Sequence, residues 1–228
     1  MAHSYLNQTE IRIQKFTNLL NMALNIQYGC GLCAPETWVN FDSSPTIFLQ
    51  RLPLLGKAFA GKGFPEFPRN IRRGNIASGL PLDEGSVDAV YCSHVLEHLS
   101  LLDLRAALKE THRILKLGGV FRFVLPDLEY YIQQYTDSDD SDRAHEFLEA
   151  TMLGVKARPK SFGGLLREWF GGSKHFWMWD FGAMSNELEK CGFVGIRRAA
   201  FGDSVYPAFS EVEDSGRWEN CLGVECVK

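Results

Sequence analysis

Two short apolar runs flank a segment with helical spacing in the middle of the chain, and this arrangement constrains the fold most. Residues 87–92 (VDAVYC) and 120–125 (VFRFVL) have the length and apolar character of buried strands. Between them, leucines recur along one helical face at Leu101, Leu104, Leu108 and Leu115. Strands joined through a helix pair in parallel, within a sheet that is covered on both faces. The sequence therefore predicts an α/β protein.

Capping signals set the expected limits of the central helices. Ser100 followed by Asp103 resembles a capping box at the start of the first helix. Lys116 is expected in the last turn of that helix and Gly118 at its C-cap. Asp127 follows the second strand and can cap a helix that reaches to about residue 135.

The same alternation extends along the rest of the chain. Further strands are predicted at residues 22–28, 38–41, 71–75, 193–200 and 221–227, and further helices at 9–20, 45–55, 144–153 and 181–191. No composition shift marks a boundary, so residues 1–228 are predicted to form a single domain.

Composition and charge exclude several classes of protein. The formal net charge is −4, and basic residues occur at most in pairs, which argues against a nucleic-acid partner. No apolar stretch approaches the roughly 18 residues that a membrane span requires. The six cysteines form no dense disulfide pattern, so free thiols in a reducing, cytoplasmic compartment are expected.

Glycine and polar residues follow the predicted strands where a ligand would bind. Gly29-Cys30-Gly31 comes directly after the first strand, and Asp42 ends the second. Asn75 ends the third strand, and Ser93-His94 follows the fourth. The carboxyl ends of strands in a doubly wound sheet converge on one crevice, where glycines admit a ligand and a carboxylate accepts ribose hydroxyl protons. This order predicts a nucleoside-containing cofactor.

The glycine turn does not favour a nicotinamide cofactor. The dinucleotide fingerprint has a third glycine that opens a helix beneath the pyrophosphate, whereas Ala34 and then Pro35 stand at that point. Few residues remain before the second strand for any helix. A nicotinamide-dependent oxidoreductase is therefore the weakest of the readings that the residues leave open.

The chain resembles the class I S-adenosylmethionine-dependent methyltransferases, in the methyltransferase type 11 group. The resemblance rests on residues 24–31 (LNIQYGCG), 38–42 (WVNFD), 79–99 (GLPLDEGSVDAVYCSHVLEHL) and 107–129 (ALKETHRILKLGGVFRFVLPDLE). It implies a Rossmann-like, doubly wound, mostly parallel seven-stranded sheet with an antiparallel C-terminal strand. It also implies methyl transfer from S-adenosylmethionine to a small-molecule, lipid or glycan acceptor.

Residues at the strand ends become candidate site residues under this resemblance. The expected cofactor-binding residues are Gly29, Cys30, Gly31, Asp42, Asn75, Ile76, Ser93 and His94. His98 and His175 are the candidate general bases for a hydroxyl acceptor, since an imidazole titrates near neutral pH.

Two positions depart from the pattern of the group. Gln27 stands two residues before the first glycine, and Asn75 ends the third strand, where the group commonly has acidic residues. Cys33 replaces the third glycine of a fuller motif. An amide can still accept a hydrogen bond, but without a full negative charge. The departures keep open a non-catalytic, S-adenosylmethionine-binding or scaffold protein.

No metal site is predicted from the sequence. His94 and His98 lie four apart, which favours one helical face, but Glu97 is expected to point elsewhere on that helix. Cys30 and Cys33 form a C-x-x-C pair that the glycine turn explains better than a zinc site does.

Residues 154–180 are rich in glycine and aromatic side chains. They include Trp169, Phe170, His175, Phe176, Trp177 and Trp179, with glycine pairs at 163–164 and 171–172. Large aromatic faces beside flexible glycines suit a lid that covers an acceptor, while a packed aromatic cluster in the core is the alternative.

Overall fold

A computed structural model of the chain describes residues 23–51, 66–155 and 174–228. The strands in this part are β1 Asn25–Tyr28, β2 Val39–Asp42, β3 Ile71–Arg73, β4 Val87–Ser93, β5 Leu115–Pro126, β6 Val194–Ala199 and β7 Cys221–Val227. The α-helices are α1 Pro45–Gln50, α2 Leu101–Ile114, α3 Leu128–Asp137, α4 Arg143–Ala150 and α5 Phe181–Lys190. Short 3₁₀ turns occur at Ile76–Ser78, Leu96–His98, Pro207–Glu211 and Ser215–Arg217.

The seven strands form one sheet in the order β3-β2-β1-β4-β5-β7-β6. In this spatial order, each pair of adjacent strands from β3 through β2, β1 and β4 to β5 is parallel. Strand β7 is antiparallel to both of its neighbours, β5 and β6. The predicted Rossmann-like sheet with its antiparallel C-terminal strand is therefore confirmed. The strand order reverses between β1 and β4, and ligands of such sheets bind at this reversal, outside the carboxyl ends of the strands.

Apolar side chains cover both faces of the sheet. On one face, the predicted α2 stripe buries Leu104 and Leu108 against β4 and β5. On the other face, Trp38 packs with Phe209 and Trp218, which come from the connection between β6 and β7. That connection thereby covers part of the second face of the sheet.

The first central helix begins as predicted but ends early. Ser100 Oγ accepts the backbone N–H of Asp103 at 3.2 Å. The helix stops at Ile114, and the chain enters β5 at once because residue Leu115 already pairs with β4. Gly118 consequently lies within β5 and is not the C-cap, and Lys116 binds Asp88 instead of completing a helical turn.

The remaining helix expectations have mixed outcomes. Asp127 caps α3 as predicted, with Oδ1 accepting the N–H of Glu129 at 3.0 Å. The predicted helix at residues 9–20 lies outside the described residues, as do Trp169, Phe170 and both glycine pairs of the proposed lid. None of the described helices is long and apolar enough to cross a membrane.

A fully buried arginine joins β5 to the connection between β6 and β7. The side chain of Arg122 is 0% exposed. Its guanidinium donates to Glu213 at 2.6 Å, Asp203 at 2.9 Å, Glu225 at 3.0 Å and the Ala200 carbonyl at 2.6 Å. These bonds neutralise a charge that could not otherwise be buried, and they hold residues 200–213 against the sheet.

Candidate functional site

The glycine turn after β1 needs its two glycines for different reasons. Gly29 and Gly31 have φ angles of +65° and +55°, in the left-handed region that side chains disfavour. A Cβ on Gly29 would clash with Val95 Cγ2, whereas a Cβ on Gly31 would meet no atom within 4 Å. Packing therefore excludes a side chain at 29, while position 31 presents open backbone to the space above the sheet.

The carboxylate of Asp42 braces this turn from the end of β2. Oδ2 accepts the N–H of Gly31 at 3.0 Å, and Oδ1 accepts the N–H of Ser44 at 2.7 Å. Asp42 is half-buried, and each of its oxygens has a second lone pair. The acid predicted from the sequence thus stands beside the glycine turn with acceptor capacity remaining.

The amide of Gln27 has a structural task at the same turn. Gln27 is buried, and its Nε2 donates to the Cys33 carbonyl at 2.7 Å and to Asn40 Oδ1 at 2.6 Å. A carboxylate has no N–H and could make neither bond. These two hydrogen bonds hold the turn to β2, and they explain why an amide stands at position 27 in place of an acidic residue.

A cavity of about 390 Å³ opens directly above the turn, at the reversal of strand order. Its lining consists of residues 29–33 together with Gln27, Tyr91, Ser93, Val212, Asp214 and Arg217. The volume lies in the range of cofactor and small-molecule sites. Gly29, Cys30, Gly31 and Ser93 are thus brought together, with Asp42 bonded to the turn.

Two charged lining residues were not anticipated from the sequence. Arg217 donates from Nε to Ser93 Oγ at 2.7 Å and from Nη2 to the Ser93 carbonyl at 3.0 Å. Asp214 is the N-cap of the 3₁₀ turn that carries Arg217, and it accepts the N–H of Gly216 at 3.0 Å. A guanidinium and a carboxylate at one cavity suit the two charged ends of an amino acid. Only the folding of the β6–β7 connection over β4 brings them there.

His94 lies next to Ser93 but does not line the cavity. Its backbone has a φ of +53°, Nε2 is 2.9 Å from the Arg217 carbonyl, and Nδ1 is 3.2 Å from Glu97 Oε1. Burial by itself lowers the pKa of His94, but contacts with Cys221, Glu97 and the Arg217 carbonyl outweigh it and raise the pKa to about 10.

Asn75 and Ile76 do not line the cavity. Asn75 is exposed, and its Oδ1 accepts the N–H of Ala77 at 3.0 Å, which caps the following 3₁₀ turn. Ile76 is 3% exposed and packs in the core. Their roles toward a cofactor stay predictions, and Ile76 could contact one only through its backbone.

The cysteines are free thiols, as expected. Burial, followed by the negative charge of Asp42, raises the pKa of the Cys30 thiol to about 12.

Glu97 does not point away from the histidines, in contrast to the expectation. His94 lies outside the short 3₁₀ turn Leu96–His98, so the helical spacing assumed for residues 94–98 does not apply. The Glu97 side chain turns inward and lies 4.0 Å from His98 Nε2. His175 packs against His98 with ring centroids 5.0 Å apart. The two candidate bases are therefore neighbours across 77 residues of sequence.

Residues 174–180 run along the carboxyl ends of β4 and β5. Trp179 is buried and forms a bridge to Asp127, while the N–H groups of Phe176 and Trp177 both reach the Glu97 carbonyl. The side chains of Phe176 and Trp177 are 65% and 42% exposed, respectively. The described part of the aromatic segment thus combines a buried anchor with two exposed rings.

Comparison with known proteins identifies part of the chain. Residues 53–123 match a family described as methyltransferase domain, which is the type 11 group. The match covers less than half of the chain, and it agrees with the predicted methyltransferase of the type 11 group and its S-adenosylmethionine cofactor. It does not extend to the glycine turn or to Asp42. No curated protein matches the chain.

Among solved structures, similar chains include an S-adenosylmethionine-dependent methyltransferase from Archaeoglobus fulgidus, with 14% identity, a TM-score of 0.49, and coverage of 97% of this chain and 94% of that one. One from Thermotoga maritima has 17% identity, a TM-score of 0.49 and full coverage of both chains. One from Mesorhizobium loti has 19% identity, a TM-score of 0.46 and 90% coverage of each.

Proposed function

We propose, from the methyltransferase domain matched at residues 53–123, that this chain transfers the methyl group of S-adenosylmethionine to a small-molecule, lipid or glycan acceptor. One observation carries the assignment of the site. The Asp42 carboxylate is bonded to the open Gly31 backbone, beside a cavity of about 390 Å³ at the strand-order reversal.

Residues of this chain would hold the two halves of the cofactor. Asp42 has the free lone pairs that ribose hydroxyls require, and the open face at Gly31 leaves room for the methionyl chain. Arg217 and Asp214 would bind the methionyl carboxylate and ammonium, respectively, since both line the cavity. The sulfonium supplies an activated methyl group, so the protein contributes orientation and exclusion of water.

The acceptor would be held by the exposed rings of Phe176 and Trp177. Aromatic faces bind apolar and sugar-like groups. Both exposed rings belong to residues whose backbone N–H groups bond to the Glu97 carbonyl, near the end of β4. A general-base role for His98 or His175 stays a prediction.

The second candidate function is binding of S-adenosylmethionine without turnover. It is favoured by Gln27, whose amide is engaged in holding the turn. Calorimetric titration with S-adenosylmethionine, S-adenosylhomocysteine and NAD, combined with a methyl-acceptor screen, separates the candidates. A catalyst binds the first two ligands and consumes an acceptor, a scaffold only binds them, and preferential NAD binding would overturn both.

Replacing Gly31 with alanine is expected to weaken S-adenosylhomocysteine binding roughly tenfold or more, because the new methyl group occupies the cofactor's space. No protein atom lies within 4 Å of that Cβ, so the protein itself has room for it. The left-handed backbone adds a folding cost of about 1–2 kcal/mol.

Gly85→Ala is the matched control for this variant. Gly85 has a φ of +62° and the same open surroundings, but it lies outside the cavity. We expect similar losses in melting temperature for both variants and unchanged affinity for Gly85→Ala. Equal affinities in the two variants would move the cofactor away from the turn.

Trp177→Ala tests the lid. Because Trp177 is substantially exposed, its loss should leave the melting temperature and S-adenosylhomocysteine affinity nearly unchanged while lowering kcat/KM for the acceptor. The neighbouring Trp179, which is buried, provides the contrast, and Trp179→Ala should lower the melting temperature first. Intact acceptor kinetics in Trp177→Ala would exclude the lid.

A further inference from the structure

A buried carboxylate without hydrogen bonds lies among three imidazoles at the end of β4. Glu97 is 0% exposed, and neither of its carboxylate oxygens has a hydrogen-bond partner among the described residues. His94 Nδ1 lies 3.2 Å from Oε1 without the alignment of a hydrogen bond, and His98 Nε2 lies 4.0 Å from the same oxygen. A buried carboxylate needs compensation by a proton, a cation or hydrogen-bond donors.

Backbone carbonyls determine which nitrogen each histidine presents. His98 Nδ1 lies 2.8 Å from the Lys174 carbonyl, and His94 Nε2 lies 2.9 Å from the Arg217 carbonyl. A carbonyl only accepts, so these nitrogens carry the protons. In the neutral ring, His98 Nε2 is therefore a lone-pair donor that faces Glu97.

His175 has the same pattern, with one nitrogen bonded to the backbone and the other without a partner among the described residues. It is 8% exposed, it hydrogen-bonds to the backbone of Thr151, and its Nδ1 is buried without a partner among the described residues. One proton on His94 would compensate one carboxylate oxygen but would leave the other oxygen of Glu97 and the Nδ1 of His175 without a partner in the described part of the chain. A divalent cation satisfies the imidazole nitrogens and the carboxylate together.

We propose that Glu97, His98 and His175 form a three-ligand site for a divalent transition-metal ion such as Zn²⁺. Their ligand atoms all lie within 4.8 Å of one another. Zinc bonds of about 2.0–2.2 Å place tetrahedral ligands roughly 3.5 Å apart, so closure requires movements of about 1 Å. Two histidines and one carboxylate leave further positions open, and the carbonyl-bonded second nitrogens are the outer contacts that orient such ligands. His94 is a positioning residue for Glu97.

The bound ion would link His175, and with it residues 174–177, to Glu97 and His98 at the end of β4. Phe176 and Trp177 already donate backbone N–H groups to the Glu97 carbonyl at 2.8 and 3.2 Å. The side chain of His98 is 28% exposed, which gives an open coordination position access to solvent. The metal site goes beyond the methyl-transfer proposal and stands without it.

Metal content is the direct test. The untagged full chain is stripped with a chelator and dialysed against Zn²⁺, and bound zinc is measured by mass spectrometry. We expect about one zinc per chain, with affinity reduced at least about tenfold in His98→Gln and His175→Gln, the loss typical of even an outer contact. His145→Ala is the control, because His145 is exposed and pairs only with Asp142 among the described residues.

A second measurement needs no variant. Zn²⁺ should raise the melting temperature of the stripped parent protein, and Co²⁺ should give visible absorption bands of a low-coordinate nitrogen and oxygen site. A stripped parent that takes up no zinc at micromolar concentrations, or equal zinc contents in the parent and both glutamine variants, would overturn the site. Neither outcome bears on S-adenosylhomocysteine affinity, which tests the methyl-transfer proposal separately.

Discussion

Replacing Arg122 with alanine is expected to lower the free energy of unfolding by about 3–5 kcal/mol, because it leaves the buried carboxylate of Glu213 without its counter-charge. Glu225 and Asp203 then keep Arg197 alone. Glu213 and Glu225 are 2% and 9% exposed at the side chain, so water cannot replace the guanidinium. The cation also lies 4.7 Å from the ring of Trp218, and this contact is lost as well. Urea denaturation followed by circular dichroism measures the change.

Arg105→Ala is the matched control for this prediction. Arg105 also makes a two-pronged contact with a carboxylate, at 2.7 and 3.0 Å from Glu187, but its side chain is 41% exposed. Glu187 keeps Lys190 at 2.9 Å when Arg105 is removed. A much smaller loss is therefore expected. Comparable losses in the two variants would show that burial of the Arg122 network does not determine its contribution.

The Arg122 variant should also disturb the candidate cofactor site. Residues 200–213, which Arg122 holds, lead directly into Asp214 and Arg217. Any folded fraction of Arg122→Ala should accordingly bind S-adenosylhomocysteine less tightly than the parent, although Arg122 does not line the cavity.

Asp42→Ala is expected to weaken the binding of S-adenosylhomocysteine by about 1.5–3 kcal/mol, which raises Kd roughly tenfold to hundredfold. Two causes act together in this variant. The carboxylate that would accept ribose hydroxyls is lost, and the N–H groups of Gly31 and Ser44 lose their acceptor. Isothermal titration calorimetry measures the change.

One further variant tests these causes, and a second variant is the control. Asp42→Asn keeps one acceptor oxygen without the charge, so an intermediate affinity is expected. Asp88→Ala removes a carboxylate from β4 that pairs with Lys116 outside the cavity, and it should leave Kd unchanged. An unaltered Kd in Asp42→Ala would place the ribose elsewhere.

Most of the fold could be predicted because its signals are local. The pattern of apolar residues and the length of each apolar segment identified the strands. The short polar side chains of Ser100 and Asp127 marked the starts of two helices. The end of α2 was misplaced, because pairing of Leu115 with β4 overrode the local cap signal at Gly118. Local signals locate elements, whereas tertiary pairing adjusts their ends.

The site was predictable only where it lies at strand ends. Gly29 and Gly31 follow β1 and Asp42 ends β2, and parallel pairing of those strands brings them together. Arg217 has no comparable signal, since it reaches Ser93 across 124 residues through an irregular connection. Its position depends on how that connection packs on the sheet, and the spacing of residues along the chain does not predict this packing.

By itself, the sequence determined the alternating elements, the glycine turn and the methyltransferase resemblance, because each depends on residues close together in the chain. Only the tertiary structure decided that the amide of Gln27 holds the turn, and that Glu97 faces His98 and His175. The physical reason is that a side chain's environment is set by whatever packs against it. The segment that brings His175 to Glu97 is placed by backbone hydrogen bonds and by the burial of Trp179, not by its own spacing.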